Sequence, residues 1–382
     1  MDDDRGTVLI SGAGIAGPVL AYWLARGGWR PTVVEHARGP RSSGSPVDVA
    51  GEALDVVRRM GVLPRLREAA TAVTRLRLVD AGGRPIATLP TRSDLGGADG
   101  AVEVPRADLA TVLYEAARDE AEFVFDDSVA ALGPDARGVD VTFRKGPPRR
   151  FDLVVGADGQ HSAVRRLAFG PERNFVHHFG MYVATLPLDG PAGDPRTVVM
   201  HNTPGRAAAV HPVRGRSLAF FAYRGPEVTG FDHRDTAQHR RLLTAAYADA
   251  GWRVPELLDR VREAGEDLYF DAVSRVRVPA WSRGRVALVG DAASSVSLFG
   301  EGSSLATTGA HTLAAELSAT PEDPAAAFHR YEARHRTRVA PRQRAVGRVA
   351  SLLVPATRPG LAARDLTARL WTLGSRPFGG RG

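Results

Sequence analysis

The chain contains no cysteine. That removes disulfides, iron–sulfur clusters, thiolate zinc sites and thiol nucleophiles together. Lysine is almost absent. Lys145 stands alone and is followed by Gly146 and Pro147, so no phosphate-binding G-K-[ST] loop exists. No G-x-S-x-G elbow and no H-E-x-x-H pair occur. There is no run of eighteen apolar residues, so nothing in the sequence reads as a membrane span. The opening residues, MDDDRGTVLI, lack the basic region and cleavage site of a signal peptide, which predicts a cytoplasmic protein.

What is present is arginine. The net charge is +7 and the pI about 10.3. The arginines are interleaved with Asp and Glu, and the densest stretch, residues 329–348, reads as the solvated face of a helix. This favours no nucleic-acid partner. With 382 residues, 43% of them hydrophobic, the chain is long enough for one large or two medium domains with a real core.

The most informative stretch is TVLISGAGIAGPVLAYWLARGGWRPTVVEHA, residues 7–37. An apolar strand runs into Gly12-x-Gly14-x-x-Gly17 and then into a helix. Gly27-Gly28 ends that helix, and a second apolar strand ends at Glu35. Gly12 permits a tight turn, Gly14 lets backbone N–H groups approach a pyrophosphate, and Gly17 lets the helix pack on the strand. The helix N-terminus adds partial positive charge. Glu35 is placed to accept hydrogen bonds from a ribose diol. Ile15 and Ala16 in the turn and His36 beside Glu35 belong to the same candidate set. The motif alone does not separate NAD from FAD.

Two later segments repeat the logic. Leu153 to Val155 leads into Gly156-Ala157-Asp158-Gly159, with Ser162 placed to cap the following helix. Val286 to Val289 leads into Gly290-Asp291, then small residues, then a helical pattern from about Ser303. Ligands in open α/β sheets collect at the carboxyl ends of strands. A nicotinamide-type domain would close within one contiguous stretch. Here one nucleotide-binding unit is threaded through the whole chain.

The trio G-A-G-I-A-G, G-A-D-G and V-G-D-A-A resembles the single-component FAD-dependent aromatic hydroxylases, the group of para-hydroxybenzoate hydroxylase and, nearest in pattern, the tetracycline-inactivating monooxygenases. The resemblance covers most of residues 7–350 and is specific in the three motifs. It implies an α/β fold: a Rossmann-like FAD-binding domain threaded through the chain, an antiparallel-sheet substrate domain and C-terminal helices. It implies FAD, reduced by NADPH or NADH. It also implies O2, transferred as one oxygen atom through a hydroperoxyflavin to an aromatic or polyketide-like small molecule. By the same resemblance Arg41 meets the nicotinamide nucleotide and Asp48 meets FAD. Arg106 starts a helix and contacts FAD, Asp158 serves both nucleotides, and Asp291, after Gly290, binds the ribityl chain. Gly302 and Ser303 open the helix aimed at the pyrimidine side of the flavin, where its dipole favours the reduced anion. No catalytic acid or base is assigned.

The third motif departs from the family pattern. Ser294 replaces a His, Ser297 and Leu298 stand where prolines would be, and Glu301 sits in the turn with its side chain expected to point away. Flavin halogenases are a poorer match, since Trp281 stands alone and no lysine lies near a flavin motif. A non-hydroxylating flavoenzyme (oxidase, epoxidase, Baeyer–Villiger enzyme or reductase) and a redox-inactive binding module of the same fold stay open as alternatives.

Residues 74–90 read as a hairpin turning at Gly82-Gly83. Residues 175–224 hold several alternating strands, expected to form an antiparallel sheet with one face free for substrate. Phe179, Met181, Tyr182, Phe220, Phe221 and Tyr223 are candidates to line that face. His177 and His178 point to opposite sides of a strand and cannot hold one metal ion together, so no metal is expected. The domain division is residues 1–73, 100–172 and 270–350 for FAD, 74–99 and 173–269 for substrate, and 351–382 as a C-terminal helical segment. The expected partners are a small-molecule aromatic substrate and O2, with no membrane, in a monomer or homodimer.

Overall fold

The computed structural model describes residues 5–39, 45–91, 100–191, 193–295 and 301–374. The chain begins with β1 (Thr7–Ser11), α1 (Ala16–Arg26), β2 (Arg30–Glu35), β3 (Val47–Val49), α2 (Glu52–Arg59) and α3 (Leu63–Ala69). It continues through β4 (Arg75–Val79), β5 (Pro85–Pro90), β6 (Val102–Val104), α4 (Arg106–Ala117) and β7 (Glu122–Phe125). A meander follows, β8 (Val129–Pro134), β9 (Val139–Phe143) and β10 (Arg149–Phe151), then β11 (Leu153–Gly156) and α5 (Ala163–Ala168). Next come β12 (Val176–Leu188), β13 (Thr197–Thr203), β14 (Arg206–Val213), β15 (Arg216–Arg224), α6 (Thr236–Ala246), α7 (Val254–Glu263) and β16 (Tyr269–Val276). The last elements are β17 (Ser282–Arg283), β18 (Val286–Leu288), α8 (Glu301–Ala319), α9 (Pro324–Leu353) and α10 (Arg358–Gly374).

Six strands form the first sheet in the order β17-β18-β11-β1-β2-β7. All neighbours pair in parallel except β17 with β18. The central strands are uninterrupted apolar runs, and Val8, Leu9, Ile10, Val154, Val155 and Leu288 are fully buried. Such runs suit a parallel sheet covered on both faces. The register puts Ser11 opposite Gly156, and Gly156 opposite Leu288. The three glycine-bearing turns therefore emerge side by side at one edge of the sheet, although their positions in the chain are far apart.

The second sheet has the order β16-β12-β15-β14-β13-β4-β5. The expected hairpin, β4 and β5, joins it by a parallel pairing of β4 with β13, so the sheet is mixed rather than wholly antiparallel. The helical stretch expected over residues 235–264 is two helices, broken between Tyr247 and Arg253 where Trp252 takes a φ of 58°. These helices cover one face of the sheet. Tyr182, Phe221 and Tyr223 are buried there against Leu243, Leu257 and Val261. The other face carries Met181, Ala209 and Ala222, with Phe179, Val183 and Phe220 partly open. Ala350, Val354 and Ala368, from the end of α9 through α10, close part of that face too. The sheet is thus less free than its alternation implied. Four of the six candidate lining residues are core, and Phe179 and Phe220 are the two with exposure left.

The Arg-rich stretch lies in α9. One side of this helix is buried through Tyr331, His335 and Val339. Its arginines sit at the boundary and pair with acids of neighbouring elements: Arg334 with Glu316, Arg338 with Glu52 at 2.7 Å, and Arg342 with Glu301 at 3.3 Å.

Candidate functional site

The first turn shows why each glycine is there. Gly12 has φ +107°, and a Cβ on it would lie 2.6 Å from the Ala157 carbonyl oxygen of the second turn. A Cβ on Gly17 would lie 1.9 Å from the Gly12 carbonyl oxygen, so only glycine lets α1 start this close to the strand. A Cβ on Gly14 would meet nothing within 4 Å. Among the described residues no protein atom requires glycine at Gly14. Ile15 and Ala16 are buried beneath this turn.

Glu35 braces the turn from below. Its carboxylate accepts the Ala13 N–H at 2.8 Å and the Ala37 N–H at 2.9 Å, and pairs with exposed His36 at 2.7 Å. Burial pushes its pKa up, but the bonds to His36, Ala13 and Ala37 outweigh burial and hold it below the usual carboxylate range. A carboxylate has about four lone-pair sites, so capacity for a ribose hydroxyl remains.

In the second turn Asp158 is engaged by its own loop. It accepts from the Ser162 hydroxyl, from the Val164 N–H at 3.0 Å and from Ser11 Oγ at 3.4 Å. Ser162 caps α5 as expected, accepting from the Arg165 N–H. Arg165 is fully buried. Its guanidinium donates to the Ala292 carbonyl at 3.1 Å and to the Gln160 carbonyl at 2.5 Å, tying the second turn to the third.

In the third turn Gly290 takes φ +63°, and a Cβ there would lie 3.2 Å from Ala16 Cβ and 3.6 Å from Ala306 Cβ. Small residues from α1 and α8 thus close on the turn. Asp291 has no hydrogen bond or ion pair among the described residues. Burial raises its pKa, and Arg106 across the cleft pulls the other way. Arg106, at the first position of α4, likewise has no hydrogen-bond or ion-pair partner among the described residues. A Cβ on Gly302 would meet only Asp291 Oδ1, at 3.9 Å. An acceptor and a donor therefore lie close enough for the Arg106 charge to oppose the rise in the Asp291 pKa, with Gly302 beside the acceptor. This donor set fits FAD, whose ribityl chain offers hydroxyl donors and whose pyrophosphate is an anion.

The start of α8 is stapled to β3. Ser303 and Ser304 both donate to the Asp48 carbonyl, at 2.7 and 2.9 Å, and the Ala50 N–H donates to Ser304 Oγ at 3.0 Å. The Ser303 hydroxyl thus positions Asp48. The Glu301 side chain pairs with Arg342 of α9 at 3.3 Å. Arg41, Ser297 and Leu298 lie outside the described residues. Among the described residues no cluster of His, Cys, Asp or Glu could hold a metal ion.

Sequence reasoning missed a group on β16. Tyr269 is close enough to Asp271, Arg106 and Asp291 to feel their charges, and burial raises its pKa. Asp271 and Glu172 bracket His161 of the second turn, at 3.2 and 3.0 Å. Burial opposes a charged ring, but the bonds to Asp271 and Glu172 prevail and raise its pKa to about 9. The ring stacks on His233 at 3.9 Å between centroids. Gln160 adds a bond to the Ala272 carbonyl at 3.1 Å. Together these bonds pin the second turn to the second sheet. The one available signal was Asp271, a carboxylate inside an otherwise strand-like run.

Comparison with known proteins decides which nucleotide this cradle serves. Residues 5–344 match the family model described as FAD binding domain. The chain belongs to that family. An uncharacterized protein of Mycobacterium tuberculosis is 40% identical over 334 residues, 86% of this chain and 89% of the relative. A flavin-dependent monooxygenase of Legionella longbeachae is 32% identical over 329 residues, 85% and 84% of the two chains. The chain is an FAD-dependent monooxygenase. The crystal structures of the tetracycline destructases Tet(51) and Tet(55) align with TM-scores of 0.82 at 29% and 30% identity. Each alignment covers 98% of this monooxygenase, and 99% and 96% of the respective destructase.

Proposed function

We propose that this monooxygenase takes electrons from NADPH or NADH and transfers one oxygen atom of O2 to an aromatic or polyketide-like small molecule. The observation that carries the reading is the lone nucleotide cradle. The described residues hold one set of glycine-bearing turns, with a sheet face of Phe179, Val183 and Phe220 in the adjoining unit. A nicotinamide nucleotide would then bind transiently, near the second turn, with Arg41 meeting it. The tetracycline destructases, whose name states that they act on tetracycline, support the substrate class.

Bound FAD supplies the redox chemistry and the activation of O2. The chain's own residues bind and orient it. The Gly12–Gly17 turn and the N-terminus of α1 would hold the pyrophosphate, and Glu35 the adenosine ribose. Asp291 would accept from the ribityl chain and Arg106 would balance its charge, with Asp48 alongside. The N-terminus of α8, with Gly302 and Ser303, would lend partial positive charge to the ring. The division into an FAD unit (residues 1–73, 100–172 and 270–350) and a substrate unit (residues 74–99 and 173–269) follows from the same reading.

The test is a visible spectrum of the purified protein, then anaerobic addition of NADPH and NADH. A two-band flavin spectrum that bleaches with either supports the reading. A flavin spectrum indifferent to both, with and without tetracycline-like phenols, overturns the nicotinamide assignment. Arg41→Ala should slow bleaching while FAD stays bound.

A further inference from the structure

The large apolar side chains most open to solvent among the described residues are Leu167, Leu352, Leu366, Leu370 and Trp371. Four of these five sit at one end of the molecule, on the last two helices. There α10 is arranged inside out. Arg364 faces the protein, donating to Asn202 Oδ1 of β13 at 3.0 Å and to Asp365 Oδ1 at 2.8 Å. Leu366 and Leu370, one turn apart, are 58% and 60% exposed. Arg364 also reaches the Leu352 carbonyl at 3.4 Å, which sets the end of α9 against the middle of α10. On α9 the exposed residues Arg344, Arg348 and Leu352 recur every four residues and share one face.

The charge around these residues has one sign. From Arg342 to Gly374 the only acid is Asp365, and it pairs with Arg364. Arg344, Arg348, Arg358 and Arg369 are exposed and have no carboxylate partner among the described residues. Pairing with a second copy about a two-fold axis would set these arginines against themselves.

We propose that this end of the molecule docks on an anionic lipid surface. Leu352, Leu366 and Leu370 enter the boundary between headgroups and acyl chains, and Arg344, Arg348 and Arg369 meet the lipid phosphates. No described helix is long and apolar enough to cross a membrane, and surface docking needs none.

The flavin-loaded protein is sedimented with vesicles of phosphatidylcholine, alone or mixed with phosphatidylglycerol. Wild type should bind the mixed vesicles at low salt, release at high salt and ignore the neutral ones. The double variant L366Q/L370Q should lose binding by at least about tenfold, because burial of these side chains supplies the apolar share. Each of Arg344→Gln, Arg348→Gln and Arg369→Gln should cost about fivefold. An unchanged flavin spectrum and Tm guard against misfolding. No binding to the mixed vesicles, or equal binding by wild type and double variant, overturns the proposal. A dimer in light scattering that the double variant splits would instead give the face to a second copy.

Discussion

Glu35 ends β2 and Asp291 lies in the turn just after β18 of the same sheet, and they are held in opposite ways. Glu35 is surrounded by donors from its own chain and its pKa falls. Asp291 has no donor bonded to it among the described residues and its pKa rises. One carboxylate stabilises the cradle before any ligand arrives. The other holds a cost in reserve until a ligand brings hydroxyls to it. A desolvated charge with no hydrogen bond is expensive, so under the proposed function the ribityl hydroxyls of FAD would offset that cost at Asp291.

The largest effect should come from Gly17, in the turn that the first carboxylate braces. Gly17→Val should leave no folded flavoprotein, because its side chain would overlap the Gly12 carbonyl. Gly14→Ala should keep the apoprotein Tm and weaken FAD by about tenfold or more, a loss on the order of 1.4 kcal/mol. Equal Tm losses in both variants, by calorimetry, would show that Gly14 is structural.

Next comes Asp291→Ala. Loss of a charge-assisted hydrogen bond is worth ~1.5–3 kcal/mol, so FAD should bind roughly ten- to a hundredfold more weakly by flavin titration. The apoprotein should gain stability at neutral pH. The folded-state pKa lies above the unfolded one, so ionised Asp291 destabilises the fold, and the gain should vanish as pH falls below the ordinary carboxylate range. An apoprotein less stable than wild type at pH 7 would break the contrast with Glu35.

Glu35→Gln should act the other way, weakening FAD and lowering the apoprotein Tm together. Its folded pKa is depressed, so its contribution is present at neutral pH and fades in acid. The Tm gap to wild type should therefore narrow as pH falls.

The smallest effect on FAD binding belongs to His161→Gln, which acts on stability. With a folded pKa near 9 against an unfolded value near 6.5, the charged ring stabilises the fold fully below the lower value. That contribution is lost as pH rises through about 9. The Tm gap between variant and wild type should be open at pH 6 and closed by about pH 10. A gap independent of pH would mean the ring only fills space.

How much of this was legible follows the range of each interaction. The three turns were legible because backbone geometry imposes glycine and a carboxylate within a few residues of a strand end. The second sheet was legible as alternation, but strand periodicity gives two faces without saying which one a helix covers, so Tyr182 and Phe221 looked no different from Phe220. The His161 clasp was not legible. Its partners lie eleven and 110 residues away in the chain, and nothing local to Gln160-His161 announces them. The inverted face of α10 was hidden for a related reason. Arg364 and Leu366 are ordinary helix residues until the position of Asn202 shows which side is inside.

The register of the first sheet also has a consequence for synthesis. β1 is translated near the start, yet one of its neighbours, β11, begins at Leu153, and β18 beyond it at Val286. At about 5–20 residues per second, the nascent chain carries an apolar, half-built sheet for on the order of half a minute. During that interval the whole second sheet is made between the strands that must meet. The FAD cradle is therefore a late product of folding, and a truncation anywhere before residue 290 would remove its third glycine-bearing turn.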